Sequence, residues 1–129
     1  MEEEKPPFDS RQPAIRVVAR PSDTNAGGDI FGGWIMAQID IAGSIAAYRL
    51  AKGRVVTVAV DSLQFHEPVF VGDLISCYAD VVRVGRTSVT VAVEVFAERD
   101  REGIRHIKVT EARVTYVAID DQRKPRPVR

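Results

Sequence analysis

The stretch DTNAGGDIFGGWIMAQIDIAGSIAAYRLAKG, Asp23 to Gly53, decides the fold, because a glycine-rich loop here feeds one long apolar segment carrying a single acid. Everything after it has the composition of β-strand. Taken as one helix, residues 33–52 would be about 30 Å long at the usual rise per residue, enough to span a small domain. Gly53 supplies the stop, with Arg49 and Lys52 near the negative end of the helix dipole.

At about 100° per residue, Gly33, Met36, Ala37, Asp40, Gly43, Ser44, Ala47 and Ala51 fall on one stripe. The large apolar residues lie to either side, Ile39 and Leu50 on one flank and Ile41 and Ile45 on the other. Two readings follow. The stripe is a close-packing seam around a satisfied buried acid, or the small residues leave room for chemistry at Asp40. A buried carboxylate must find a partner or give up its charge, so an acid kept in such a place is a candidate for function.

A chain of 129 residues fits one domain with a real core. Its 18 basic and 18 acidic residues cancel, which predicts no nucleic-acid or membrane partner and makes any polyanion site local. The lone cysteine, Cys77, excludes an internal disulfide framework and sits in an apolar run as a core residue would. The start MEEEKPPFDS is acidic and proline-bearing, so no signal peptide is expected. Gln38, Asp40 and Arg49 interrupt the apolar segment too often for a membrane span. We therefore expect a soluble protein of a reducing compartment, the cytoplasm.

In chain order, residues 1–13 read as a mobile N-terminal tail, residues 14–120 as the single domain and residues 121–129 as a partly ordered C-terminal tail. Ile15 to Arg20 is a short strand candidate. Arg54 to Phe65, Leu74 to Val84, a strand from Ser88 carrying Val89, Val91, Val93 and Val95 on one face, and Ile107 to Ile119 follow. Gly85-Arg86 reads as a two-residue hairpin loop with glycine first, and Arg99 to Gly103 as a charged connection. The expected architecture is α+β: a long helix across a curled antiparallel sheet, with valine-rich edges that invite a second chain.

Several familiar chemistries are absent. There is no GxSxG elbow, Walker sequence or dinucleotide fingerprint, and His66 and His106 are far apart without metal-ligand spacing, so no metal is predicted. A carboxylate, an asparagine and a helix start remain. Amides near Gly32 and Gly33 are able to stabilise an oxyanion. Asp40 is able to activate water or attack directly, and Asn25 to hydrogen-bond the attacking water or the substrate carbonyl. Gly33 and Asp40 are about 10 Å apart along a helix axis, too far to serve one carbonyl from the same chain. A site using both joins the helix start of one subunit to the acid of another.

The run Asp23 to Met36 with Asp40 resembles the signature of hotdog-fold acyl-CoA thioesterases, in particular the short bacterial YciA-type branch. Val55 to Phe65, Pro68 to Asp73 and Gly85 to Ser88 agree in order and place, so the resemblance covers about residues 15–127. One departure is Gly27 before Gly28, where relatives often carry Asn. The resemblance implies a double-hotdog dimer, often three dimers to a hexamer, hydrolysing acyl-CoA to free acid and coenzyme A with no cofactor. It implies Asp40 as general base or nucleophile, Asn25 positioning water or carbonyl across the interface, and an oxyanion hole at Gly32 or Gly33. Phosphates of coenzyme A would meet Arg86, Thr87 and Ser88 at the hairpin, with Arg54 next, and the pantetheine amides the strand around Val58. Asp61 stands where the family has an acid, in a structural or orienting role. A rival class is a non-catalytic acyl-CoA sensor, which would normally carry a DNA-binding domain for which the chain leaves no room. A hotdog hydratase would pair a histidine with an acid, and the central stretch has no histidine.

Overall fold

The computed structural model describes residues 12–129, so the expected N-terminal tail lies almost wholly outside the described residues. The chain runs through β1 (Ile15–Val18), a 3-10 turn (Pro21–Asp23), α1 (Gly32–Ala51), β2 (Val55–Phe65), β3 (Leu74–Val84), β4 (Ser88–Asp100) and β5 (Ile104–Ala118). The strands form one antiparallel sheet in the order β1-β3-β4-β5-β2. Two hairpins join its centre, and the connection after β2 crosses from one edge back to β3. This is the expected α+β arrangement.

The sheet's centre makes the core. Val89, Val91, Val93 and Val95 are all fully buried, each worth about 1.5–3 kcal/mol of transfer free energy. Against them α1 lays Ile35, Ile39, Ala42, Gly43, Ala47 and Ala51. The buried line is thus rotated from the expected stripe. Ile35 and Ile39 draw the helix over because their burial outweighs that of small side chains, while Gly33, Met36 and Ala37 stay exposed and Asp40 and Ser44 stand half-buried at the border. Asp40 is therefore not an acid sealed in a seam.

Three further expectations are corrected. The left-handed residue that ends α1 is Lys52 (φ 54°), not Gly53. Gly53 serves a close approach instead: a Cβ there would lie 2.6 Å from Arg126 Nη2. The β3–β4 turn centres on Arg86 and Thr87, since the Gly85 amide donates to Ser88 O at 2.8 Å. Arg99 belongs to β4 rather than to a loop and is buried. Its guanidinium donates to both Asp73 carboxylate oxygens, at 3.1 and 2.8 Å, and to Pro68 O at 3.1 Å, and it lies 4.5 Å from the centre of the Phe70 ring. A charge with its partner 26 residues away in sequence reads locally as a loop residue.

The C-terminal segment also differs from a partly ordered tail. Asp120 Oδ1 accepts the amides of Gln122 and Lys124, each at 2.9 Å, which folds the chain back. Arg126 N then donates to Ala118 O and Val128 N to Arg86 O, both at 2.9 Å, and Val128 is buried. No described helix is long and apolar enough to cross a membrane, which says nothing of strands.

Candidate active site

Asp40 is held from below. β2 and β5 pair so that Thr57 faces Tyr116, and both reach the acid. Thr57 Oγ1 donates to Asp40 Oδ1 at 2.7 Å; Tyr116 OH donates to the same oxygen at 3.1 Å and to the Asp40 main-chain carbonyl at 2.7 Å. Tyr116 is fully buried, and it fits only because residue 43 is glycine: a Cβ there would lie 3.1 Å from the ring carbon Cε2 and nearer still to the hydroxyl. Burial, and then the neighbouring Asp40 charge and hydrogen bond, raise the Tyr116 pKa far above that of free tyrosine, so it remains a donor. With Oδ1 fixed by two hydroxyls, Oδ2 carries no hydrogen bond among the described residues.

Asp40 borders a cleft of about 250 Å³ whose other walls include Gly33, Met36, Ala37, Val60 and Leu63. The cleft is apolar apart from the acid. Gly33 stands at its other end, two helical turns away, about 10 Å along the axis. Amides in the first turn of a helix point toward its N-terminus, away from Asp40.

That first turn is uncapped. Phe31 at the N-cap offers no side-chain acceptor. The first paired amides are those of Trp34 and Ile35, both donating to Phe31 O, so Gly32 and Gly33 N–H have no partner among the described residues. A second cleft of about 360 Å³ opens there, bordered by Asp29, Gly32, Phe65 and His66. Asn25 sits in the preceding loop and shapes it: its Oδ1 accepts the amides of Gly27 at 2.9 Å and Asp29 at 3.1 Å. Only its Nδ2 donor is left for a ligand.

The residues expected at coenzyme A gather at the opposite end of the helix. Ile119 N donates to Arg54 O, Ala118 N to Thr87 O and Val128 N to Arg86 O, so the end of β5 and the segment after it tie Arg54 and the β3–β4 turn together. Ser88 opens β4 opposite Val117, and Val58 is exposed at an irregularity between Thr57 and Ala59 on the edge strand β2. Asp61 is exposed on the same strand. Among the described residues no group of three His, Cys, Asp or Glu side chains converges as metal ligands would. Thr57 and Tyr116 are absent from the sequence-based site. Each lies in a β-branched strand where hydroxyls are ordinary, and only the strand register brings them to the acid.

A long helix on a curled antiparallel sheet, with one supported carboxylate at an apolar cleft and bare amides two turns away, defines a hotdog-fold hydrolase of the acyl-transfer kind. The family model described as Thioesterase superfamily matches residues 27–104, and the chain belongs to that family, in its YciA-type branch. Acyl-CoA thioester hydrolase YciA of Salmonella typhimurium is 50% identical over 117 residues, 88% of this chain and 87% of the relative. The hexameric hotdog fold thioesterase of Campylobacter jejuni superposes with a TM-score of 0.89 at 53% identity, covering 94% of this chain and 92% of that one. An acyl-CoA hydrolase from Staphylococcus aureus, solved with butyryl coenzyme A, coenzyme A and coenzyme A disulfide, gives a TM-score of 0.79 at 34% identity over 88% and 68% of the two chains. Structures of its variants replace an aspartate and a threonine with alanine, the two the same distance apart in sequence as Asp40 and Thr57 here.

Proposed function

We propose that the protein hydrolyses acyl-CoA thioesters to a free carboxylic acid and coenzyme A. The observation that carries this reading is the Asp40 carboxylate, fixed through Oδ1 by Thr57 and Tyr116 at the edge of an apolar cleft. Asp40 is the general base or the nucleophile. As base it takes a proton from water as the water oxygen bonds to the thioester carbonyl carbon; the tetrahedral intermediate then expels the thiolate, which recovers the proton. As nucleophile its carboxylate oxygen bonds to the carbonyl carbon, the C–S bond breaks to release the thiolate, and water hydrolyses the resulting mixed anhydride to the free acid and the Asp40 carboxylate, its proton passing to the thiolate. In both routes the carbonyl oxygen becomes an oxyanion, and the amides of Gly32 and Gly33 from a second chain receive it. Asn25, with only Nδ2 available, positions the carbonyl or the water by donating to it. The protein's own groups supply this chemistry, and no cofactor enters it.

A dimer is the minimum active unit. Met36 and Ile41 on α1 and Val58 and Val60 on the edge strand are large apolar side chains left exposed, the kind of surface a second copy covers. The hexameric assembly of the C. jejuni thioesterase supports a trimer of such dimers. A single cysteine, Cys77, which leaves no internal disulfide to form, suits a reducing, cytoplasmic setting.

The test is thiol release from acyl-CoA substrates by Asp40→Asn and by Asn25→Ala, each alone and then co-assembled. Either variant alone falls by at least about a hundredfold in kcat. Mixed oligomers, in which one interface pairs an intact Asp40 with an intact Asn25, regain part of the activity. Full hydrolysis by Asp40→Asn defeats the reading, and failure to complement defeats its two-chain form.

A further inference from the structure

The edge strand β2 slips twice against β5. Thr57 stands opposite Tyr116 and Ala59 opposite Thr115, so Val58 is an extra residue. Asp61 stands opposite Arg113 and Gln64 opposite Glu111, so Ser62 and Leu63 share the place facing Ala112. Each slip is a β-bulge, two residues set against one. Ser62 in the second has φ 58°, in the left-handed region; the other non-glycine residues of positive φ among the described residues, Lys52, Glu102 and Arg123, lie outside strands.

The bulges decide which side chains face the helix. Tyr116, Val114, Ala112 and Thr110 form a buried face of β5, and Thr57, Val60 and Phe65 stand opposite three of them. Thr57 reaches Asp40, Val60 and Leu63 border the cleft beside it, and the Phe65 ring lies 3.6 Å from where a Cβ on Gly32 would be. With Val60 inward, unbroken alternation would turn Ser62 and Gln64 to the helix and Leu63 and Phe65 to solvent. The extra residue at Ser62 reverses that. Its own side chain is exposed and makes no hydrogen bond among the described residues, so the left-handed backbone is imposed from outside. Before it Asp61 is paired with Arg113; beyond it the buried Thr110 hydroxyl donates to Gln64 O, and His66 N donates to Val109 O at 2.8 Å. Strain of this kind persists only where the surroundings over-determine it, and it gathers at functional sites.

We infer that Leu63 is a specificity-determining residue that reads the length of the acyl group, and that left-handed Ser62 is the positioning residue that aims it into the Asp40 cleft. The inference rests on the thioesterase reading and adds the residues that choose among its substrates. The cleft is apolar apart from the acid, so it suits the hydrocarbon tail of a thioester rather than the amides of pantetheine. It runs from Asp40 toward Gly33, about 10 Å along the helix axis. At about 1.2 Å per bond of extended chain, that length takes roughly eight carbons. Leu63 stands on its β2 wall, half-buried and packed against the core, with the rest of its surface open to a ligand. Lengthening the acyl chain therefore strengthens binding up to about eight carbons and adds little beyond.

The experiment measures thiol release from butyryl-, octanoyl- and dodecanoyl-CoA by the wild type, Leu63→Ala, Ser62→Gly and Ser62→Val. The wild type favours octanoyl- over butyryl-CoA in kcat/KM by at least about tenfold, and dodecanoyl-CoA gains less than about twofold more. Leu63→Ala cuts the octanoyl preference to about threefold or less; the loss falls on KM and grows with chain length, whereas a general disturbance would lower kcat for every chain alike. Ser62→Gly, at ease with positive φ, keeps the wild-type preference, and Ser62→Val loses it as Leu63→Ala does. Where Ser62→Val fails to fold, Ser62→Thr replaces it, keeping the hydroxyl and adding only the β-branch. An octanoyl preference that survives Leu63→Ala overturns the inference while leaving hydrolysis established, and one that survives the β-branched variant removes Ser62 from it. In a parallel titration 1-octanol, whose hydroxyl donates to the unpaired Asp40 Oδ2, binds Leu63→Ala at least about tenfold more weakly than the wild type, and equal binding overturns the role of Leu63. The weakened octanol binding with no thioester cleaved by the wild type would instead keep Leu63 as an alkyl-chain wall and remove the thioesterase reading.

Discussion

Gly43→Ala tests the support under Asp40 with one methyl group. In an exposed helix interior this change would stabilise by about 1 kcal/mol. Here the added carbon would lie 3.1 and 3.2 Å from Tyr116 Cε2 and Cζ and closer still to the hydroxyl, beneath a fully buried ring with nowhere to go. Overpacking of this kind costs about 1–3 kcal/mol, so the balance is a net loss of up to about 2 kcal/mol. The catalytic effect is larger than the stability effect. Displacing the hydroxyl breaks its bonds to Asp40 O (2.7 Å) and Oδ1 (3.1 Å), and a hydrogen bond to a charged group is worth about 1.5–3 kcal/mol. At about 1.4 kcal/mol per factor of ten, kcat for thiol release falls by about 10- to 100-fold. Gly43→Ala/Tyr116→Phe removes the nearest clash, so it unfolds at higher urea than Gly43→Ala yet stays as slow as Tyr116→Phe alone. A Gly43→Ala enzyme that is more stable than the wild type and equally fast would refute this account of Tyr116.

The remaining predictions concern separate parts of the molecule. Thr57→Val keeps the strand and its shape but removes the 2.7 Å bond to Asp40, so kcat should drop by about tenfold or more while Thr57→Ser recovers most of it; equal rates for the two variants would deny the hydroxyl a role. Arg99→Met strands the buried Asp73 carboxylate and should cost about 3–5 kcal/mol in urea unfolding, whereas Arg99→Met/Asp73→Leu restores much of it; an unchanged midpoint in the single variant contradicts a buried pair. A single turnover in ¹⁸O-water tests the nucleophilic route for Asp40. Label incorporated into the enzyme's Asp40 peptide marks an anhydride opened by water at the Asp40 carboxyl carbon, whereas label found only in the released acid excludes that opening and matches attack of water on the acyl carbon.

The long helix was legible because its punctuation and its length leave no other reading, and the four alternating valines of β4 announce a central strand with one buried face. The direction of the helix was harder to judge. A stripe of small residues suggests the packed face, yet two isoleucines one turn apart, Ile35 and Ile39, outweigh it and carry Asp40 to the border of the core. The acid itself was visible as an anomaly in an apolar run. Its supports were not, since a threonine and a tyrosine in strands have no local signature, and they meet Asp40 only through the pairing of Thr57 with Tyr116. Arg99 and Arg126 escaped for the same reason: each reads as solvated charge, and each is ordered by groups far along the chain.

The direction of the peptide groups is what makes the site an assembly rather than a pocket. Within one chain the cleft beside Asp40 has Gly33 at its other end, but the free amides of Gly32 and Gly33 face out of the helix start, toward the second cleft and away from the acid. A thioester placed at Asp40 would therefore meet no oxyanion donor from the same helix. The proposed function asks a two-fold partner to correct this: an isologous contact that set the start of one helix against the middle of the other would make two equivalent sites at once. The exposed Met36, Ile41, Val58 and Val60 lie on the helix and edge strand that such a contact would cover. On the proposed function, burying them and completing the chemistry are a single event, and an isolated monomer is expected to release no thiol from acyl-CoA.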